Sequence, residues 1–243
     1  MREVSPLVLR TLSLAEVDAT VYDRLWRLLN GEEQARAERF VFERNRREFV
    51  AAHGLTRLLL GRLAGRDPAA LSFAPITPQG KPGLVDAPPA LDFNLSHTDG
   101  LVACAVTLAP GARVGLDVED GARDVGADIA THMFSADELA WLDGRPGGRD
   151  GPDLMTFWTL KEAYIKALGM GLSLPTDSFS ILPAAASGDW TLVRHDGSLA
   201  VGQGCRFWCR DLPSGHKLAL AVVAPEDQLP ADPVMGEGLA DLW

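Results

Sequence analysis

The stretch Arg113–Asp120, RVGLDVED, limits what this chain can fold into more than any other. Val114, Leu116 and Val118 alternate with Asp117 and Glu119, the period of a strand whose two faces meet different surroundings. One face belongs in an apolar core. The other carries two carboxylates, about 6.5–7 Å apart along the strand. At an effective dielectric of about 20, that separation costs roughly 2–2.5 kcal/mol of repulsion. Water, a nearby Arg or Lys, or a metal ion must offset it.

The rest of the chain is ordinary enough to build such a core. It has 243 residues, 47% hydrophobic and 23% charged, which fits one large or two smaller globular domains. No run of about 18 apolar residues occurs, so no membrane span is expected. The first residues, MREVSPLVLRTLSLAEVD, lack a basic head followed by an apolar run; without a signal peptide the expected location is cytoplasmic. Three cysteines fit a reducing compartment. Cys205 and Cys209, followed by His216, lack a fourth zinc ligand and read as buried or idle thiols.

A net charge of −10 argues against nucleic-acid binding. The charge is uneven, however: residues 36–66 hold eight Arg against three Glu. Such a region fits a small anionic ligand. It equally fits a solvated helix face with pairs such as Glu43–Arg47.

Apolar spacing near 3.6 predicts helices over 14–30 and 46–64. Strands are expected at LSFAP, LDFNLS and LVACAVTLAP, separated by turns at TPQGKPG and HTDG. After the carboxylate strand come helices near 123–133 and 135–143, the second opened by a capping box of Ser135 and Glu138. A glycine-rich loop at 143–153 leads to the helix MTFWTLKEAYIKAL, ended by Gly169. Strands follow near 178–182, 190–194, 204–211 and 217–223. Each half is thus a long helix followed by strands, an α+β chain of two halves meeting at a cleft. The expected units are 1–110, 111–225 with the acidic strand, and a frayed Pro- and acid-rich tail, 226–243.

Three short segments carry candidate chemistry. In FWTLKEAYIKALGMGL, Glu162 and Lys166 stand four apart on one helix face, with Trp158 and Gly169 extending the stripe. They form either a surface ion pair or the completion of a carboxylate set, Asp117, Glu119 and Glu162. Three carboxylates without His or Cys suit Mg²⁺ or Mn²⁺ rather than zinc. FNLSHTDG places Ser96 and His97 at a strand end, as structural residues or as phosphate ligands. QGKPGL is a turn that projects Lys81.

The segments GKP, FNLSH, VGLDVE and FWTLKEAYIKALGMGL occur in the order and near the spacing seen in Sfp-type 4′-phosphopantetheinyl transferases. HMFSADEL and GLSLPTDSFSI also resemble segments of that family, and the likeness covers about residues 36–225. The resemblance implies a monomeric pseudo-dimer of two similar α+β halves with coenzyme A between them. It implies transfer of the phosphopantetheine arm of coenzyme A to a serine of an acyl or peptidyl carrier protein, with release of adenosine 3′,5′-bisphosphate. Asp117, Glu119 and Glu162 would bind Mg²⁺. Lys81, Ser96 and His97 would contact the coenzyme A phosphates, helped by an Arg of the N-terminal cluster, for which Arg36, Arg46 and Arg47 are the candidates. Lys166 would neutralise or protonate the leaving group, and Glu162 or Glu119 would take the serine proton. The carrier could serve fatty acid, polyketide, non-ribosomal peptide or siderophore synthesis.

Two positions depart from the family pattern. Glu33 stands where a basic residue is common, and Phe49 replaces a small hydroxyl residue. Carrier proteins are usually acidic, as this chain is, so the docking face should be locally apolar or basic. Ala167–Leu174 offers Met and Leu candidates for it, or else is core. Two other readings share the acidic set: a Mg²⁺-dependent coenzyme A phosphodiesterase or pyrophosphatase, and an inactive carrier-binding homologue.

Overall fold

A computed structural model describes residues 7–123, 126–184, 189–194 and 202–243, without the side chains of 127, 128, 172 and 194. In chain order the elements are β1 (Leu7–Ser13), α1 (Ala19–Leu28), α2 (Gly31–Glu38), α3 (Glu43–Ala64), β2 (Phe73–Pro75), β3 (Pro82–Leu84), β4 (Asp92–Thr98) and β5 (Leu101–Thr107). The second half holds β6 (Arg113–Asp120), α4 (Ala127–Met133), α5 (Ala136–Asp143), α6 (Asp153–Leu168), β7 (Phe179–Pro183), β8 (Trp190–Arg194), β9 (Gln203–Asp211), β10 (His216–Pro225) and β11 (Val234–Glu237).

Two sheets carry the architecture. One has the order β11-β1-β5-β4 and the other β6-β10-β9. Strict alternation assigns each strand two cores. Leu7, Leu9, Leu101 and Ala103 pack against Val114, Leu116, Leu218 and Leu220, sealing sheet against sheet. The opposite face of β5, with Val102, Cys104 and Val106, packs on α3. The opposite face of β10, with Ala219, Ala221 and Val223, packs on α6. The result is four layers, helix–sheet–sheet–helix, one helix and one sheet from each half. Each fully buried Leu or Val contributes about 1.5–3 kcal/mol, so a one-residue slip in β6 would turn the apolar face toward α6 and drive the acids between the sheets.

The halves are also joined at a seam. Asp92, Asn94 and Ser96 of β4 accept hydrogen bonds from the backbone N–H groups of Val114, Leu116 and Val118 of β6, at 2.7, 2.8 and 3.3 Å. Side chains of one strand thereby satisfy the edge of the next. This register fixes Ser96 beside Asp117.

The polar helix α2 was not expected. It is set by a capping box between Asn30 and Glu33, and Glu33 then binds His53 and Arg57 of α3 at 2.9 and 2.8 Å. Asp18 caps α1 and divides the expected 14–30 helix. The expectation of a frayed tail at 226–243 is corrected. Val234–Glu237 pairs in parallel with β1, Leu239 and Leu242 are buried, and Arg10 holds Asp241 through two hydrogen bonds. The edge of β1 needed a partner, and the tail supplies one.

Candidate active site

The site begins at a glycine. A Cβ on Gly115 would lie 1.9 Å from the Ala163 carbonyl oxygen and 2.3 Å from the Ala167 amide. Its absence lets α6 rest directly on β6, so that Glu162 and Lys166, on the same helix turns, come against Asp117.

Lys166 donates to Asp117 Oδ1 at 2.6 Å and to Ser96 Oγ at 3.1 Å. Ser96 in turn donates to Asp117 Oδ1 at 3.2 Å. Asp117 is buried, and its other oxygen, Oδ2, is buried without a hydrogen-bond partner. Burial pushes the Asp117 carboxyl up to about 6; Lys166 pulls against this, and the charges of Glu119 and Glu162 add to it. Burial also raises Glu162, with Lys166 opposing and Glu119 reinforcing. The three acids therefore share one electrostatic neighbourhood.

Glu119 has its own cation. Arg123 Nη1 lies 2.9 Å from each of its carboxylate oxygens. Trp158, whose indole faces Arg123, donates to Glu119 Oε1 at 3.3 Å. The sequence reading names no role for Arg123 and places Trp158 only on the Glu162–Lys166 stripe. The available signals were the i,i+4 offset of Arg123 from Glu119 and that of Trp158 from Glu162. Among the described residues, no group of three His, Cys, Asp or Glu side chains converges closely enough to hold a metal ion. The donor chemistry nonetheless fits a hard divalent cation: three carboxylates, one with an unpartnered buried oxygen.

A cleft of about 770 Å³ opens beside these groups, lined by Trp158, Glu162 and Lys166 on one wall and Gly80, Lys81 and Asn94 on another. Lys81, expected to project from its turn, is instead buried. It donates to Asp92 at 2.6 Å and to the Val114 carbonyl at 3.0 Å. Burial lowers its pKa, with Asp92 opposing. A desolvated ammonium needs these partners, so Lys81 pins the turn to the seam.

His97 points away from Ser96, as adjacent strand residues must. It is half-exposed and lies 3.6 Å from Glu48 of α3. Burial, Lys166 and His53 lower its pKa. Arg36 is exposed over the Phe49 ring. Arg47 is drawn the other way, donating to the Val17 carbonyl and facing Tyr22. Of the two readings of Ala167–Leu174, core packing holds for Ala167 and Leu174, with Leu168 and Met170 packed against them.

The acidic groups outside the cleft are structural. Glu138 caps α5 and forms a fully buried ion pair with Lys161 at 2.8 Å, while Lys161 also donates to the Thr176 and Phe179 carbonyls. All three cysteines are free. His216 lies 2.8 Å from the Asp99 carbonyl, with no part in a metal cluster.

Comparison with known proteins agrees with this architecture. Residues 113–221 match the 4′-phosphopantetheinyl transferase superfamily, and 18–109 match the 4′-phosphopantetheinyl transferase N-terminal family. A 4′-phosphopantetheinyl transferase of Bacillus subtilis is 29% identical over 80% of this chain and 76% of its own. HetI of Nostoc sp. strain PCC 7120 is 33% identical over 74% of this chain and 82% of its own. Sfp of B. subtilis strain 168 is 26% identical over 84% and 86%. Two halves, each with its own family match, and relatives of this coverage lead to one conclusion: the chain belongs to the 4′-phosphopantetheinyl transferase superfamily.

Proposed function

We propose that this enzyme transfers the 4′-phosphopantetheine arm of coenzyme A to a serine of an acyl or peptidyl carrier protein, with Mg²⁺ or Mn²⁺, releasing adenosine 3′,5′-bisphosphate. The observation that carries the reading is Asp117, bonded to Lys166 and carrying a buried, unpartnered oxygen, within the electrostatic reach of Glu119 and Glu162, with Glu162 and Lys166 lining the cleft. Asp117, Glu119 and Glu162 would hold the ion, once Arg123 releases Glu119. A bound divalent ion supplies charge stabilisation at the diphosphate as the P–O bond breaks.

The protein groups divide the remaining work. Glu162 lines the cleft, and burial raises its pKa; a carboxylate with a raised pKa is the stronger base. Glu119 is held by Arg123 and Trp158 until the ion enters. Glu162 or Glu119 would take the serine proton. Lys166, on the same wall, is positioned to neutralise or protonate the leaving bisphosphate. Ser96 fixes Lys166 and Asp117 in register. His97 and Arg36 would contact the 3′-phosphate, and Arg47 would join them only by leaving the Val17 carbonyl. Lys81 acts through the turn it anchors. The enzyme works as a cytoplasmic monomer.

Incubation with coenzyme A, Mg²⁺ and an apo carrier protein tests this by mass spectrometry. The expected product is carrier bearing one phosphopantetheine arm, lost in Asp117→Ala and Glu162→Ala. Bisphosphate release at the same rate without a carrier would refute transfer and favour a phosphodiesterase.

A further inference from the structure

The face between the two sheets changes character at one end. On β1 it runs Leu7, Leu9, Thr11, Ser13; on β11, Met235, Glu237; on β10, Leu220, Leu218, His216. The apolar members belong to the sheet–sheet core or pack on it. The polar members leave it together and line a cavity of about 200 Å³, which shares no lining residue with the cleft beside Glu162. Thr11 and Glu237 are register partners, side by side on this face. Thr11 is only 8% exposed, yet its hydroxyl faces the cavity and has no hydrogen-bond partner among the described residues. An unpaired buried hydroxyl is costly, and a strand at that position would accept Val.

The cavity is also negative. Glu16 and Glu237 line it, and no described Lys or Arg does. A Cβ on Gly238 would lie 2.9 Å from Glu16 Oε2, so the Glu16 carboxylate rests against the residue next to Glu237. Neither carboxylate has an ion-pair partner among the described residues. His216 adds an acceptor rather than a donor. Its Nε2–H donates to the Asp99 carbonyl at 2.8 Å, and Nδ1 lies 2.9 Å from Ser214 Oγ. Nδ1 therefore accepts the hydroxyl proton, and the Ser214 oxygen keeps its lone pairs for another donor. Two carboxylates and two hydroxyl oxygens thus await donors. Among the described residues no three His, Cys, Asp or Glu converge on a metal position, so an organic ammonium, with three N–H donors, suits the lining better than a bare ion.

We propose that this cavity binds a small alkyl diamine. Glu16 and Glu237 take the two ammonium groups, Thr11 and Ser214 accept from them, and the methylenes lie on Leu101 and Leu212, which also line the cavity. The size agrees: at about 30 Å³ per water-sized group, 200 Å³ holds about six heavy atoms, the length of a four-carbon diamine. Thr11 and Glu237 belong to one sheet, whereas Ser214 lies in the turn between β9 and β10 of the other. The ligand therefore fastens sheet to sheet, and its binding energy adds to the cohesion of the two halves. The site stands apart from the transferase reading and uses none of its residues.

Isothermal titration of the full chain with 1,4-diaminobutane tests this, beside 1-aminobutane and tetramethylammonium chloride at equal ionic strength. Expected are one equivalent bound, an unfolding temperature that rises with diamine concentration, and affinity about tenfold weaker for 1-aminobutane and in Glu237→Gln. Thr11→Val should weaken binding about fivefold. Glu237 is exposed, so its isosteric variant folds even if Thr11→Val does not. Asp117→Asn should bind the diamine as wild type does, because the acidic cluster at the cleft is a separate site. Heat no larger than with tetramethylammonium would overturn the proposal, as would Glu237→Gln affinity within about twofold of wild type. Loss of binding in Asp117→Asn alone would overturn it too, by placing the diamine at the other cluster.

Discussion

Gly115→Ala is the sharpest test of how the fold builds its site. The new Cβ would stand 1.9 Å from the Ala163 carbonyl and 2.3 Å from the Ala167 amide, against an ordinary contact near 3.4 Å. The shortfall is 3.4 − 1.9 = 1.5 Å. Both clashing atoms are helix backbone, so no rotamer change relieves them, and α6 must move off β6 by about that amount. Overpacking of this kind costs about 1–3 kcal/mol, a fall of roughly 2–12 °C in unfolding temperature for a chain of this size. The functional loss should be larger in proportion. Displacing Glu162 and Lys166 from Asp117 by about 1 Å is enough for a rate loss of order 10². Gly31→Ala is the control, because a Cβ there meets nothing within 4 Å. Thermal unfolding by circular dichroism and arm transfer to a carrier, on the same preparations, give both numbers. A Gly115→Ala protein as stable as Gly31→Ala, with transfer near wild type, would refute the close-approach argument.

Three further outcomes follow from the charges. The folded pKa of Asp117, about 6, lies above its ordinary 3.8. Its contribution is therefore fully present below about pH 4 and lost as pH rises through 6, roughly 3 kcal/mol in total. In EDTA, Asp117→Asn should gain about that much over wild type between pH 4 and 7 in denaturant titrations; parallel pH profiles would contradict it. Lys161→Met strands the fully buried Glu138 and should lower stability by about 3–5 kcal/mol, and a loss below 1 kcal/mol would show the pair to be dispensable. Arg123→Ala frees Glu119 of an exposed ion pair worth at most about 1 kcal/mol. Mn²⁺ affinity without coenzyme A, read by electron paramagnetic resonance, should rise up to about fivefold, and weaker binding would show that Arg123 assists the ion rather than competing with it.

Periodicity made much of this molecule legible. The alternation in RVGLDVED placed Val114, Leu116 and Val118 in the sheet–sheet core and Asp117 and Glu119 on the α6 side. Four-residue spacing placed Glu162 and Lys166 together, and the Ser135–Glu138 box marked the start of α5. What escaped was long-range. β1 and β11 have no turn signature, and long-range pairing defines them: β1 along β5, and β11 in parallel on the other edge of β1. α2 buries one residue, Ala37, so it has no apolar stripe to detect. Lys81 reads as an exposed turn lysine because nothing local reveals Asp92 and Val114 waiting across the seam. The same holds for Lys166: its helix partner by spacing is Glu162, yet its ammonium bonds Asp117, 49 residues away.

That preference bears on how a repulsive acidic cluster can be held ready. The acids sit on rigid elements and are shielded, with Asp117 and Glu119 side chains 5% and 13% exposed. The cations that neutralise them are the more exposed partners, Lys166 at 29% and Arg123 at 52%, on long flexible stems. The fold thus fixes the negative groups and leaves the positive ones free to exchange. On the proposed reading, a divalent ion would need only to displace an arginine from the surface side, and Lys166 would be free to turn from Asp117 toward a leaving phosphate by side-chain rotation alone. Preorganisation here lies in the strand, the seam and the helix laid against Gly115, and the adaptable charge lies in two side chains at the cleft wall.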